Sequence, residues 1–338
     1  MSIQKRKKEH VELTLNRDVF YDKKTGFELY DFVHNALPEV NLEDVDLKCS
    51  FLGREFSFPL FISSMTGGYS DAGAVNAEIA TFCERRNLPF GVGSQRVMLE
   101  NPDEEKSFSI VREKAPNAFI AANIGGAQLI GGLSKKSIHT LINSIAADAV
   151  IVHLNPLQEL MQPEGDTRFG GIKEGIMKLR DSCECPIIVK ETGAGISFKT
   201  ASELLEIGVD VIDVAGAGGT SWAKVENLRE QSKLPMHQFD DWGIPTAICI
   251  KEIVNLKDHY DFELVASGGI RTSFDLVKSL ALGADFAATA QPVIKAIFEP
   301  DSSPDQLLDL WMNECRIILT LLGCISFNDL NESHLRRV

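Results

Sequence analysis

Residues 263–271 read ELVASGGIR: a short β-type run from Glu263 to Ala266, then Ser267, two glycines, Ile270 and Arg271, after which a helical pattern starts with Thr272 or Ser273 as its cap. The same order recurs along the chain, as FPLFISS before MTGG near Met65, LPFGVG before SQR near Ser94, NAFIAA before NIGG near Asn123, and DAVIVH before LNPLQE near Glu159. It continues as PIIVK before ETGAG near Lys190, DVIDVA before GAGGT near Thr220, and ADFAAT before AQP near Gln291. Parallel strands covered on both faces are continuously apolar, and each needs a long crossover before the next. Eight such units predict a (β/α)8 TIM barrel, with every polar cluster at a strand carboxyl end, where such barrels build their sites.

Working outward, strands are expected at 60–64, 90–92, 118–122, 149–153, 187–190, 211–214, 263–266 and 285–288. Helical periodicity covers 71–87, 103–114 behind Pro102, a segment capped by Ser134, one starting at Ser197, and a closing helix over 305–322. Residues 1–58 form a turn-rich N-terminal extension, and 59–338 a single catalytic barrel domain. Two connections, 154–171 and 216–245, are too long and polar for simple linkers, and long loops in compact domains are commonly functional.

Composition narrows the function. At 338 residues, with 44% hydrophobic and 24% charged content, the chain has the make-up of an ordinary globular domain. Its net charge of −14 argues against nucleic acid, whose phosphates require a basic surface. No apolar run approaches the roughly 18 residues of a bilayer span, and MSIQKRKKEH leads into polar sequence rather than a signal core. A soluble, cytoplasmic protein is the expectation. The seven cysteines, Cys49, Cys83, Cys183, Cys185, Cys249, Cys315 and Cys324, lack a CxxC pair and read as reduced packing thiols.

The clusters themselves suggest chemistry. Gly268 and Gly269 let backbone amides approach an anion at a helix start, with Arg271 as a charged contact; the alternative is a tight turn. Barrel loops seven and eight are the usual phosphate site, which favours the cradle. Lys190 ends strand five as a cationic partner for a flat anionic cofactor ring, or as a pair for Glu191. Met65, Thr66, Gly67, Ser94 and Asn123 supply an apolar contact, hydroxyls and an amide for a heteroaromatic edge. Ser94, Gln95 and Arg96 suit an oxyanion, Arg96 being a planar bidentate donor unless it only pairs with Glu100. His153, Asn155, Gln158 and Glu159 gather after strand four, where a single carboxylate near phosphates suits Mg²⁺ or is merely a solvated acid. Residues 5–8, KRKK, read on their own as a solvated tail.

With those residues in place, the chain resembles the type 2, flavin-dependent isopentenyl-diphosphate delta-isomerases. The motifs, in order, are R-K-x-E-H at residues 6–10, S-M-T-G-G from Ser64, G-S-Q-R from Gly93, A-N-I-G from Ala122, and H-L-N-P-L-Q-E from His153. They continue with V-K-E from Val189, G-A-G-G-T-S-W from Gly216, D-W-G-I-P-T from Asp241, and S-G-G-I-R from Ser267. The resemblance implies FMN held by Met65, Thr66, Gly67, Ser94, Asn123, Lys190, Thr220, Gly268, Gly269, Arg271, Ala290 and Gln291. It implies a substrate diphosphate meeting Arg6, Lys7, Ser94, Gln95, Arg96, Asn155 and Gln158, with Mg²⁺ on Glu159. That reverses the reading of the basic start, which would order over bound diphosphate.

The implied reaction converts isopentenyl to dimethylallyl diphosphate by a 1,3-proton shift, with reduced FMN as acid and base and NADPH or NADH as electron donor. Lys190, His153 and Gln158 would support it. The family also implies a homo-oligomer, tetrameric or larger. One rival is an FMN-dependent oxidoreductase on the same barrel, which needs a catalytic His or Cys after strand six or seven; GAGGTSWAKVENLRE has neither. The other is a non-catalytic flavin- or phosphate-binding protein, disfavoured by so complete a polar set at the barrel mouth.

Overall fold

The computed structural model describes residues 3–65, 72–229 and 235–338, with side chains described from residue 9 onward. Its centre is a closed barrel of eight parallel strands. These are β1 (Leu60–Ile62), β2 (Phe90–Gly91), β3 (Ile120–Gly125), β4 (Ala149–Leu154), β5 (Ile187–Glu191), β6 (Val211–Asp213), β7 (Glu263–Ala266) and β8 (Phe286–Thr289). Strand neighbours follow chain order and β8 closes on β1, Ala287 standing beside Leu60. Each strand is near-continuously apolar because helices cover its outer side while other strands' side chains fill the inside.

Most strand ends shift by one or two residues from expectation, and two larger departures have a local cause. β3 ends three residues later than 122, because Asn123, Ile124 and Gly125 remain in register with Ile151, Val152 and His153. Asn123 is therefore a strand residue. Pro102 opens only a 3₁₀ turn, Pro102–Glu104, and the regular helix begins at Lys106, since Asn101 caps the turn before it. The closing helix, Pro304–Leu322, is capped by the Ser303 hydroxyl and ends at Gly323 with φ 76°.

The N-terminal extension works at both ends of the barrel. A hairpin of Cys49–Phe51 and Arg54–Phe56 inserts Phe51 and Phe56 under the amino-terminal mouth, packing with Phe61, Phe119 and Phe286. The Phe51 and Phe286 rings lie 4.8 Å apart. Each buried phenylalanine contributes about 1.5–3 kcal/mol, so the plug is an integral part of the core. At the other end, helix Ile3–Asn16 lies against helix Trp222–Leu228. Phe20 bridges Thr220, and the Ser221 amide donates to Val19 O. Tyr30–Phe32 pairs antiparallel with Leu335–Arg337, tying the two chain ends together. With one mouth plugged, the carboxyl ends of the strands hold the space left for chemistry. No helix among the described residues is long and apolar enough to cross a membrane.

Candidate active site

At those carboxyl ends lies a cavity of about 330 Å³, a size suited to a small molecule or cofactor. Its wall takes Met65 from after β1, Ser94 and Arg96 from after β2, Asn123 and His153 from β3 and β4, and Lys190 from β5. Thr220 and the 268–271 turn complete the circle with Ala290 and Gln291. His10, Val11 and Thr14 of the N-terminal helix close it from above. Thr66, Gly67 and the side chains of Arg6 and Lys7 lie outside the described residues.

The floor is an aligned polar chain. Asn123 Nδ2 donates to Ser64 Oγ at 2.8 Å, and His153 Nδ1 sits 2.7 Å from Asn123 Oδ1. With Asn123 Oδ1 accepting, His153 Nδ1 is the donor of that contact. Gln95 anchors the same strand from behind: its Oε1 accepts from Asn123 N at 2.9 Å, and its Nε2 donates to Leu141 O at 3.0 Å. The expected substrate contact of Gln95 is corrected on this geometry. The side chain is fully buried, its donor and acceptor are spent on the protein, and it does not face the cavity.

The glycines around the 268–271 turn are required by close backbone approach. Gly268 has φ 96°, and a β-carbon there would sit 2.1 Å from Gly216 O; at Gly269, with φ 78°, it would meet Thr25 Cγ2 at 2.4 Å. Thr246 Oγ1 donates to Gly268 O at 2.6 Å and Thr289 Oγ1 to Ile270 O at 2.8 Å, which holds the turn in place. The Arg271 guanidinium stacks 4.5 Å over the Phe20 ring. Burial lowers its pKa, against the pull of Asp275. Arg271 Nη2 and Gln291 Nε2 are both buried without a hydrogen-bond partner among the described residues. Two orphaned donors beside a glycine turn fit an anionic phosphate group.

Lys190 Nζ donates to its neighbour's carbonyl, Glu191 O, at 2.7 Å, and stands in register beside Asp213 of β6. Glu191 and Asp213 are both buried acids. Burial pushes the Glu191 carboxyl up to about 7, although the amides of Thr192, Gly193 and Ala194 bond one of its oxygens. Burial likewise raises Asp213, while Lys190 and the Ser267 hydroxyl oppose the shift. The site thus sets one ammonium among two carboxyls screened from water.

On the opposite wall, Asn155 Nδ2 donates to Glu159 Oε1 at 2.9 Å, and Glu159 Oε2 accepts from Asp166 N at 2.8 Å. Arg96 Nε reaches Glu100 at 2.8 Å, and Nη1 lies 3.5 Å from Asp166. Burial works against the Arg96 charge, but Glu100 and Asp166 outweigh it and the pKa rises. No cluster of three or more metal-ligating side chains exists among the described residues. One carboxylate flanked by amides suits an ion that takes most of its ligands from water and phosphate, as Mg²⁺ does.

Glu226 and Arg229, which the sequence does not single out, stand behind the cavity wall, Glu226 against its Gln158 and Arg229 against Glu226. Gln158 Nε2 donates to Glu226 Oε1 at 3.2 Å, and His10 Nε2 lies 2.9 Å from the same oxygen. Arg229 Nη1 is 2.6 Å from Glu226 Oε2. Their i,i+3 spacing is the one local signal of the pair, and nothing local ties it to Glu9 and Glu164.

Residues 155–337 match the family model described as FMN-dependent dehydrogenase. Among curated relatives, the isopentenyl-diphosphate delta-isomerase of Chlorobium limicola is 45% identical, covering 98% of this chain and 95% of the relative. The protein of the same name from Nostoc sp. is 41% identical over 98% of this chain and 95% of the relative. Among solved structures, a flavocytochrome b2 variant superposes with TM-score 0.67 at 18% identity, covering 97% of this chain and 82% of that one. A mandelate oxidase variant gives TM-score 0.62 at 17% identity over 97% of this chain and 91% of the other. The two structural likenesses bear on the fold alone.

Proposed function

Because the chain belongs to the isopentenyl-diphosphate delta-isomerase family, we propose that it interconverts isopentenyl and dimethylallyl diphosphate with reduced FMN and Mg²⁺ in the cavity described above. A proton is added at one carbon and another leaves two carbons away, so the double bond moves with no net oxidation. The observation that carries the reading is the meeting, in one cavity, of an anion cradle with orphaned donors and a separate wall of Arg96, Asn155, Gln158 and Glu159. One wall fits a cofactor phosphate and the other a substrate diphosphate.

FMN, when bound and reduced, would supply the acid and base at its ring nitrogens, with NADPH or NADH as electron source. The amides of Gly268 and Gly269, with Arg271 and Gln291, would hold its phosphate. Met65, Thr66, Gly67, Ser94, Asn123, Thr220 and Ala290 would line the rest of the cofactor. Lys190 places positive charge where an anionic ring would lie, and its half-buried position between the buried carboxyls of Glu191 and Asp213 strengthens that attraction. His153, oriented by Asn123, and Gln158, oriented by Glu226, would border the reacting carbons. Ser94, Arg96 and Asn155, with Arg6 and Lys7 from the N-terminal helix, would take the diphosphate, and Glu159 the Mg²⁺ that shares it. The protein would act in the cytoplasm as a homo-oligomer, tetrameric or larger.

The test is an anaerobic incubation with isopentenyl diphosphate, FMN, Mg²⁺ and NADPH, each omitted in turn. Loss of dimethylallyl product on every omission supports the reading. Turnover that survives removal of FMN, or flavin reduction by 2-hydroxy acids without isomerisation, would replace it with an oxidoreductase or a flavin-independent activity.

A further inference from the structure

Arg229 is the most unusual charge in the molecule. Its side chain is fully buried, yet it reaches carboxylates on separate segments: Glu9 at 3.2 Å on the N-terminal helix, Glu164 at 2.8 Å in the loop after β4, and Glu226 at 2.6 Å. A guanidinium can do this because its donors form a rigid planar fork, which an ammonium cannot match. Burial works against the charge on Arg229, and the hydrogen bonds it donates to Glu226, Glu164 and Glu9 overcome it. Removing one member of such a cluster leaves the remaining charges buried and unmatched. Buried ions of this kind add little net stability, so what the cluster secures is an arrangement.

That arrangement has a functional geometry. Through Glu9, Arg229 holds the helix whose His10, Val11 and Thr14 roof the cavity. Through Glu226, it fixes the oxygen that accepts from Gln158 and lies 2.9 Å from His10 Nε2, while the His10 ring meets Trp222 edge-on at 5.3 Å. Through Glu164, it pins the loop that follows Glu159. Roof, Gln158 and the loop beyond Glu159 therefore share one fastening point. We propose that Arg229 is a positioning residue that clamps the N-terminal helix over the cavity and, through Glu226, sets Gln158. The inference takes its substrate from the isomerase reading, but the seating of the helix is independent of it.

Three variants of the full chain test this: Arg229→Gln, Arg229→Lys and Glu9→Gln, measured by hydrogen exchange at the amides of residues 9–16 and by steady-state kinetics with FMN saturating. Glu9→Gln releases only the helix, so exchange there accelerates about tenfold and KM for isopentenyl diphosphate rises by a similar factor, with kcat within about twofold. Arg229→Gln does the same and also lowers kcat about tenfold, because Glu226 is no longer fixed. Arg229→Lys restores part of the KM and exchange effects. A folded Arg229→Gln or Glu9→Gln protein with wild-type exchange at 9–16 overturns the clamp, whatever its activity. If Arg229→Gln does not fold, Glu9→Gln decides alone. A wild-type protein without isomerase turnover sinks the functional reading instead, and leaves the exchange comparison to judge the clamp.

Discussion

Replacing Gly268 by alanine separates backbone strain from steric closure at the phosphate cradle, because the chain contains its own control. Gly268 and Gly53 both have positive φ, 96° and 72°, so alanine at either position incurs the left-handed penalty of about 1–2 kcal/mol. They differ in what the new methyl meets. At Gly53 nothing lies within 4 Å, whereas at Gly268 the β-carbon would sit 2.1 Å from Gly216 O and 2.5 Å from Gly216 N. Both are backbone atoms that no rotamer change can move aside, and forcing them apart adds about 1–3 kcal/mol, as overpacking does. Gly53→Ala should therefore lose about 1–2 kcal/mol in urea denaturation and bind FMN as wild type. Gly268→Ala should lose about 2–5 kcal/mol and weaken FMN at least tenfold in a fluorescence titration, since displacing the turn would misalign the amides proposed to hold the phosphate. Equal stability losses for the two variants, with FMN affinity unchanged in both, would refute the role assigned to the turn.

Other outcomes follow from the same geometry. Gln95→Ala should cost about 1–3 kcal/mol through unsatisfied partners around Asn123 and Leu141, visible as a lower urea midpoint; a purely substrate-binding Gln95 would leave stability untouched. Glu191 has a folded-state pKa of about 7 against 4.5 for the free side chain, so the folded protein holds the extra proton between those values and stability falls as pH rises through that window. Urea midpoints of Glu191→Gln should lack that share of the decline between pH 4.5 and 7; parallel profiles for variant and wild type would contradict the shift. Lys190→Ala should lower kcat by at least tenfold while FMN remains bound, since the role proposed for the ammonium is on ring charge rather than on the phosphate. Full activity in that variant would remove Lys190 from the mechanism.

How far the sequence reached depended on whether a residue's partners were close in the chain. The barrel was legible because each strand is a local apolar run closed by a local polar cluster, and no distant information was needed to place it. The tight turn at Gly268 and Gly269 was legible for the same reason, although its cause, the approach of Gly216 and Thr25, is a long-range fact. Gln95 misled because its neighbours Ser94 and Arg96 do line the cavity; the turn that starts helix Arg96–Glu100 points the middle residue away from it, toward Leu141 and Asn123. The plug formed by Phe51 and Phe56 lies unmarked within the turn-rich extension, since nothing local shows that a hairpin fills a distant barrel end. Arg229 and Glu226 were missed outright. A buried ion cluster assembled from residues 9, 164, 226 and 229 has a sequence separation no periodicity registers.

The central claim is that a flavin in this barrel mouth moves a proton without being consumed. Counting dimethylallyl diphosphate formed against NADPH oxidised, anaerobically with excess isopentenyl diphosphate, tests it directly. Many product molecules for each NADPH is the expected result. One NADPH oxidised for each molecule of substrate converted would mean net redox chemistry, and would contradict the account.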